Sequence, residues 1–207
     1  MTAPVSESPA GATPTGPVEE RPRGSRLRTL LIIAVVAIAT VVGSYFLTRP
    51  TQTVFTPVQV KGDNIAPAPV VGDQARDFVA TTISGEPMSL AQLEGRPVWL
   101  QFGASWCAPC RVEAPDVQAA HKASAKSRLA VVAVYLAEDS TTVKNFAELM
   151  KLTYTQVPDP DTAIASAWGV RGIPVHYFID AKGTIKATHV GILPPDRIKE
   201  YLTQIGG

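Results

Sequence analysis

The sequence is poor in cysteine, histidine and aromatic residues, and neither sign of charge is in excess. Two cysteines and three histidines among 207 residues cannot build a multi-bridge disulfide scaffold. They also leave a four-ligand structural zinc site short of donors. Lysine plus arginine number 19 against 18 acidic residues, a net charge of +1. A global electrostatic grip on nucleic acid is therefore not expected, since such domains carry a clear basic excess. No glycine-rich phosphate loop follows any expected strand, and no internal repeat is visible. With 45% hydrophobic and 18% charged residues, wholesale disorder is excluded too. The length suits one domain with extensions.

Charge is absent altogether from Leu30 to Leu47, LLIIAVVAIATVVGSYFL. With Thr29 and Thr48 this run makes a helix of about 30 Å, enough to cross the hydrocarbon core of a bilayer. Arg21, Arg23, Arg26 and Arg28 precede it, and only Arg49 follows closely. The positive-inside rule then puts the N-terminus in the cytoplasm and the remainder outside. The expected organisation is a disordered cytoplasmic tail over residues 1–28, a transmembrane signal anchor over 29–48, a linker over 49–69 and a globular domain over 70–207. The tail is rich in Pro, Ala, Thr, Ser and Gly and lacks aromatics, so it cannot offset its chain entropy. The linker, with Pro50, Pro57, Pro67 and Pro69, reads as semi-extended, with a candidate short strand around Val54–Val60. A cleaved signal peptide competes with the anchor, because Ala37-Ile38-Ala39 has the small-x-small form of a cleavage site. Cleavage there would leave only a short apolar core. Either reading exports the rest of the chain and places the globular domain on the extracytoplasmic side of a cell membrane.

Within the domain, Asp77–Thr82, Gly85 and Met88–Leu90 read as a hairpin. Ser89 is a candidate cap for a short helix over Leu90–Leu93. Pro97–Gly103 and Leu129–Leu136 are apolar runs of strand length, the second suited to burial on both faces. A helix is expected from Cys107 to about Ala125. Another is expected over Ser140–Lys151, capped by Ser140 or Thr141, with Val143, Phe146, Leu149 and Met150 on its inner face. A short helix near Asp161–Trp168, strands at Val175–Ile179 and Thr184–Val190, and a helix over Asp196–Ile205 complete the domain. This order implies an α/β fold with a mixed sheet flanked by helices.

Both cysteines lie in Trp106-Cys107-Ala108-Pro109-Cys110, directly after a buried strand and at the start of a helix. In that context C-x-x-C reads as a redox pair. Unpaired N–H groups and the positive end of the helix dipole favour thiolate over thiol at the first cysteine. The dipole supplies up to about 2 kcal/mol, and one pKa unit is about 1.36 kcal/mol, so larger tuning needs local hydrogen bonds. Pro109 suits the first turn. Three alternatives remain at this point, the plainest being a fortuitous pair of core thiols. A structural disulfide would constrain little, because its loop is so short. A metal half-site would need His121, His176 or His189, none of which has a strong spacing relation to the cysteines.

The segment Val98–Pro115, VWLQFGASWCAPCRVEAP, resembles the active-site strand and helix of thioredoxin-fold proteins. Arg171-Gly172-Ile173-Pro174 resembles the cis-proline loop of that fold. A closer resemblance is to the TlpA/ResA/CcmG-like branch of membrane-anchored thiol–disulfide oxidoreductases. The N-terminal anchor, the leading segment Gly72–Phe78 with its hairpin, Glu113 and Pro115 after the cysteines, and an insertion at about Leu152–Val170 before the cis-proline loop all carry it.

The resemblance implies that Cys107 attacks and Cys110 resolves, and that Pro174 is cis. Ile173 then offers backbone polar groups to a client strand, and Trp106 shapes the surface beside the nucleophile. It implies a proton-handling role for Glu113, which would otherwise read as a solvated helix residue. Gln101 stands where thioredoxin itself has a buried acid, which favours Glu113 for that role. Trp99 and Trp168 read as core, and His176 as a strand residue facing solvent. No cofactor and no metal is expected. The implied clients are disulfides or thiols of exported proteins, including apocytochrome c, and the implied electron donor is a membrane thiol transporter. A copper-carrying chaperone module and a thiol peroxidase are the competing functions. The copper carriers use a wider cysteine spacing, and the peroxidases have a threonine where Ala104 stands.

Overall fold

A computed structural model describes residues 23–47, 56–59 and 65–206. Residues 23–28, expected in the disordered tail, are helical instead and form the start of the first helix, because the helical run of the apolar stretch extends back through the arginines. The rest of the expected tail, and the linker residues outside those ranges, lie outside the described residues. The chain divides into two compact units, Met1–Thr51 and Gln52–Gly207.

In the first unit, α1 runs over Arg23–Leu47. Its stretch Leu27–Ser44 has a mean hydropathy of 2.2 and is long and apolar enough to cross a membrane. A signal sequence shares those properties. Its large apolar side chains, such as Leu30, Ile32 and Val41, are exposed, so no protein core accounts for their composition.

The second unit is built on five strands in the order β6-β5-β4-β8-β9. They are β4 (Val98–Gly103), β5 (Ala130–Leu136), β6 (Thr155–Asp159), β8 (Val175–Ile179) and β9 (Ile185–Val190). β5 runs parallel to both β4 and β6, while β8 is antiparallel to β4 and β9. Every residue of β4, β5 and β8 is buried, as expected of strands covered on two faces.

Alternation along the strands divides the core in two. Leu100, Phe102, Val132, Val134 and Tyr177 point to one side, where Trp168 and the hairpin residues Phe78 and Met88 cover them. Trp99, Val131, Ala133 and Phe178 point to the other side. There they meet α2 (Ala108–Ala123), α3 (Ser140–Met150) and α5 (Pro195–Ile205). The hairpin pairs β2 (Val79–Thr81) with β3 (Pro87–Ser89). A single 3₁₀ turn follows at Ala91–Leu93, and Ser89 Oγ accepts the Gln92 N–H at 3.3 Å.

Four details depart from expectation. The insertion before the cis-proline loop contributes a full edge strand, β6, as well as the short helix α4 (Ala163–Ala167). Pro158 is tolerated there because an edge strand has one side without a ladder partner. The cap of α3 is Asp139, whose carboxylate accepts the Thr142 N–H at 2.8 Å, and not Ser140 or Thr141. Leu149 is exposed, and Ala147 takes its place on the inner face of α3. The strand expected around Val54–Val60 is β1, Thr56–Pro57. It pairs with a two-residue strand β7, Gly172–Ile173, of the domain itself.

Candidate active site

The centre of the site follows from how α2 begins. Cys107 has extended backbone angles (φ −77°, ψ 108°) and acts as N-cap, its Sγ accepting the Cys110 N–H at 3.2 Å. Few residues offer sulfur at a cap, where oxygen acceptors are the rule. Here the cap places the sulfur against an unpaired N–H at the positive end of a 16-residue helix. Pro109 occupies the first turn, where its missing N–H costs nothing. Cys107 and Cys110 are joined as a disulfide with Cα atoms 5.3 Å apart.

The turn before the cysteines is held from beneath by Glu138, which follows β5. Its buried carboxylate accepts the Ser105 N–H at 2.8 Å and the Ser105 hydroxyl. Sequence reasoning passed Glu138 over, because nothing local marks an acid just past a strand as the partner of a loop 33 residues earlier.

Facing the sulfur is the loop between β7 and β8. The Ile173–Pro174 bond is cis, and Ile173 O lies 3.9 Å from Cys107 Sγ. The Ile173 side chain is fully buried in the core, so only its backbone faces the site. Thr56 stands opposite Ile173 in the β1–β7 register, with its hydroxyl 3.9 Å from Cys107 Sγ. Cys107 is 1% exposed and Cys110 5% exposed. Trp106 is half exposed and Val112 more so, which leaves an apolar rim around the pair.

Behind the cysteines, Glu113 is 1% exposed and is not a solvated helix residue. One oxygen accepts Gln101 Nε2 at 2.6 Å, and the other accepts the Leu193 N–H at 3.1 Å. The second oxygen also lies 3.4 Å from His176 Nε2. His176 is likewise fully buried, contrary to the expectation that it faces solvent. The reason is register: His176 pairs with Gln101 across β4 and β8, so both side chains project to the side covered by α2. The indole Nε1–H of Trp99 donates to His176 Nδ1 at 3.3 Å. Indole is only a donor, so Nδ1 is the accepting nitrogen and Nε2 is the one turned toward Glu113.

A cavity of about 10 Å³ lies beside Cys110, lined among others by Gln101, Gly103, Tyr135 and Tyr154. Burial, with smaller contributions including the charge of Glu113, holds Tyr135 and Tyr154 far above the usual tyrosine range. Both are therefore neutral phenols at any physiological pH. The arrangement sets a disulfide above the buried carboxylate of Glu113 and beside the backbone of a cis-proline loop, which is equipment for thiol–disulfide exchange.

The AhpC/TSA family model matches residues 71–188. The chain belongs to that family. Its relatives include the thiol-disulfide oxidoreductase ResA of Geobacillus thermodenitrificans, 32% identical over 67% of this chain and 79% of the relative. The thioredoxin-like protein YneN of Bacillus subtilis is 39% identical, over 63% of this chain and 78% of that protein. A solved structure of a secreted Mycobacterium tuberculosis disulfide oxidoreductase, homologous to DsbE of E. coli, superposes with a TM-score of 0.56. It is 27% identical and covers 61% of this chain and 94% of that one. The expected thioredoxin-like fold and the enzyme class, thiol–disulfide oxidoreductase, are thus borne out. Of the residues expected at the site, Cys107, Cys110, Ile173 and Pro174 meet at one surface, Trp106 stands at its rim, and Glu113 lies beneath.

Proposed function

We propose that this enzyme is tethered to the cell membrane by α1 and reduces disulfides of exported proteins on the extracytoplasmic side, apocytochrome c among them. The observation that carries the reading is the Cys110 N–H aimed at Cys107 Sγ at 3.2 Å. That contact strengthens when the sulfur becomes an anion, which supports Cys107 as the nucleophile. The apolar helix, its flanking arginines and a secreted relative support export.

In the forward direction, Cys107 thiolate attacks one sulfur of the client disulfide. The other client sulfur leaves as a thiolate and takes up a proton. Cys110 then loses its proton and attacks Cys107 Sγ, and the second client sulfur leaves. The client gains two electrons and two protons, and the enzyme is left as the disulfide. Glu113, one helical turn beyond Cys110, takes the Cys110 proton. Ile173 and cis-Pro174 hold the client as an added strand, with Trp106 against its side chains. A membrane thiol transporter re-reduces the pair, since an exported compartment is oxidising.

Cys110→Ser is expected to accumulate mixed disulfides with exported proteins, whereas Cys107→Ser is expected to trap none. Non-reducing gels and mass spectrometry of the trapped species read both. Equal trapping by the two variants would remove Cys107 as the nucleophile. A redox pair that stays oxidised in cells would overturn the reductive direction.

A further inference from the structure

The backbone edge beside the cis-proline is already occupied, and by the chain itself. Thr56 pairs with Ile173 and Pro57 with Gly172 as an antiparallel strand, and the Val58 N–H donates to Arg171 O at 3.1 Å. Val58 packs on the apolar cluster that contains Cys107 and Ile173. With this segment seated, the nucleophilic sulfur is 1% exposed and the nearest polar side-chain atom to it from the segment is the Thr56 hydroxyl, at 3.9 Å. A nucleophile that must meet a sulfur in another protein cannot work while so covered.

We propose that residues 56–58 are an internal stand-in for the client strand, which must leave before a client binds, and that Thr56 marks the position a client cysteine takes. This rests on the thiol–disulfide reading above. An extended segment antiparallel to β7 satisfies the free edge when no client is present, and its side chain opposite Ile173 reaches the sulfur. A client strand in the same register presents its own sulfur there. The segment is poorly rooted: Pro57 has no N–H to give, and the strand is two residues long. It is thus suited to reversible displacement. Further along, Ala66 N–H donates to Ser166 O at 3.2 Å, so the chain is fastened again beyond the displaceable strand.

Two measurements on the reduced full-length protein in detergent test this. Val58→Pro removes the N–H that bonds Arg171 O. Iodoacetamide is expected to modify Cys107 about tenfold faster in this variant than in the wild type, equivalent to about 1.4 kcal/mol. Rates within twofold of each other would overturn the proposal. In the second, Thr56→Cys is combined with Cys110→Ser and oxidised with diamide. The expected product is an intramolecular bridge between position 56 and Cys107 in most molecules, identified in a tryptic digest. Unbridged or intermolecularly bridged sulfurs would overturn it. Neither readout requires turnover. A wild type that fails to reduce a disulfide substrate therefore refutes the functional reading, separately from any result on the strand.

Discussion

Glu113 makes the most stringent test of how the site is built. Glu113→Ala removes the acceptor for two buried donors, Gln101 Nε2 at 2.6 Å and Leu193 N–H at 3.1 Å. A buried donor left unpaired costs about 1–3 kcal/mol, so the variant is expected to lose about 2–6 kcal/mol. That is a large share of the roughly 5–15 kcal/mol that holds a domain folded. At about 2–4 °C per kcal/mol for a chain of this size, the melting temperature of the oxidised protein falls by roughly 5–20 °C.

Glu113→Gln should cost far less. Gln101 Oε1 has no partner among the described residues. Turning the Gln101 amide over offers that oxygen to the new amide at position 113, while the new carbonyl keeps Leu193. The number of hydrogen bonds is then kept, with Gln101 Nε2 in the unpartnered position, and the loss is about 1 kcal/mol, the difference between a hydrogen bond to a charged group and one to a neutral group. The charge, however, is gone, so the pH profile of Cys110 alkylation should change even though the fold survives. Urea unfolding followed by tryptophan fluorescence ranks the three proteins, and alkylation at stepped pH reads the chemistry. An alanine variant within about 0.5 kcal/mol of wild type, far below a single unpaired buried donor, would show that the carboxylate is not what organises this layer. A glutamine variant less stable than alanine would refute the amide-turning argument.

Gly169 sits at φ +65°, and a Cβ there would lie 2.5 Å from Ala68 N and against Ala66 O. Gly169→Ala is therefore expected to lose more than about 2 kcal/mol, beyond the 1–2 kcal/mol of left-handed strain alone, and to expose Ala66 N–H to hydrogen exchange. Unchanged protection would contradict the packing of residues 66–68. Burial lowers the His189 and His121 pKa values below 6.5, with the Ile192 carbonyl partly offsetting this at His189. The folded protein thus binds fewer protons at these groups than the unfolded chain, so stability falls as pH drops through 6.5 toward their folded values. His189→Gln should flatten that slope in unfolding titrations between pH 7 and roughly pH 5, and an unaltered slope would dismiss the histidine. Asp159, raised mainly by burial, acts in the opposite sense at lower pH.

Strands with mostly apolar runs are the easiest to read. Val98–Gly103 and Ala130–Leu136 are buried on both faces, and near-continuous hydrophobicity is the mark of that environment. The cysteine pair was equally plain, since strand, C-x-x-C and helix occur in immediate succession. Thr155–Asp159 escaped notice because three polar residues and a proline in five conceal an edge strand. Its core contribution is one residue, Val157, fully buried. His176 was misjudged for a related reason. A polar residue in a short strand says nothing of which face it takes until the partner register is known, and that register places it under α2. Glu138 and Thr56 reach the site over 33 and 51 positions of sequence. Contacts of that span have no local signature.

The sulfur cap at the start of α2 also tilts the balance of electrons. A backbone donor 3.2 Å from Cys107 holds an anion more tightly than it holds a neutral bridge. Whatever this contact contributes, it favours the dithiol form over the disulfide, at about 30 mV for each 1.4 kcal/mol. The geometry that makes the sulfur reactive thereby makes the enzyme more reluctant to give its electrons up. Any net flow toward a client must then be driven from upstream, by a donor with a lower potential than the pair itself.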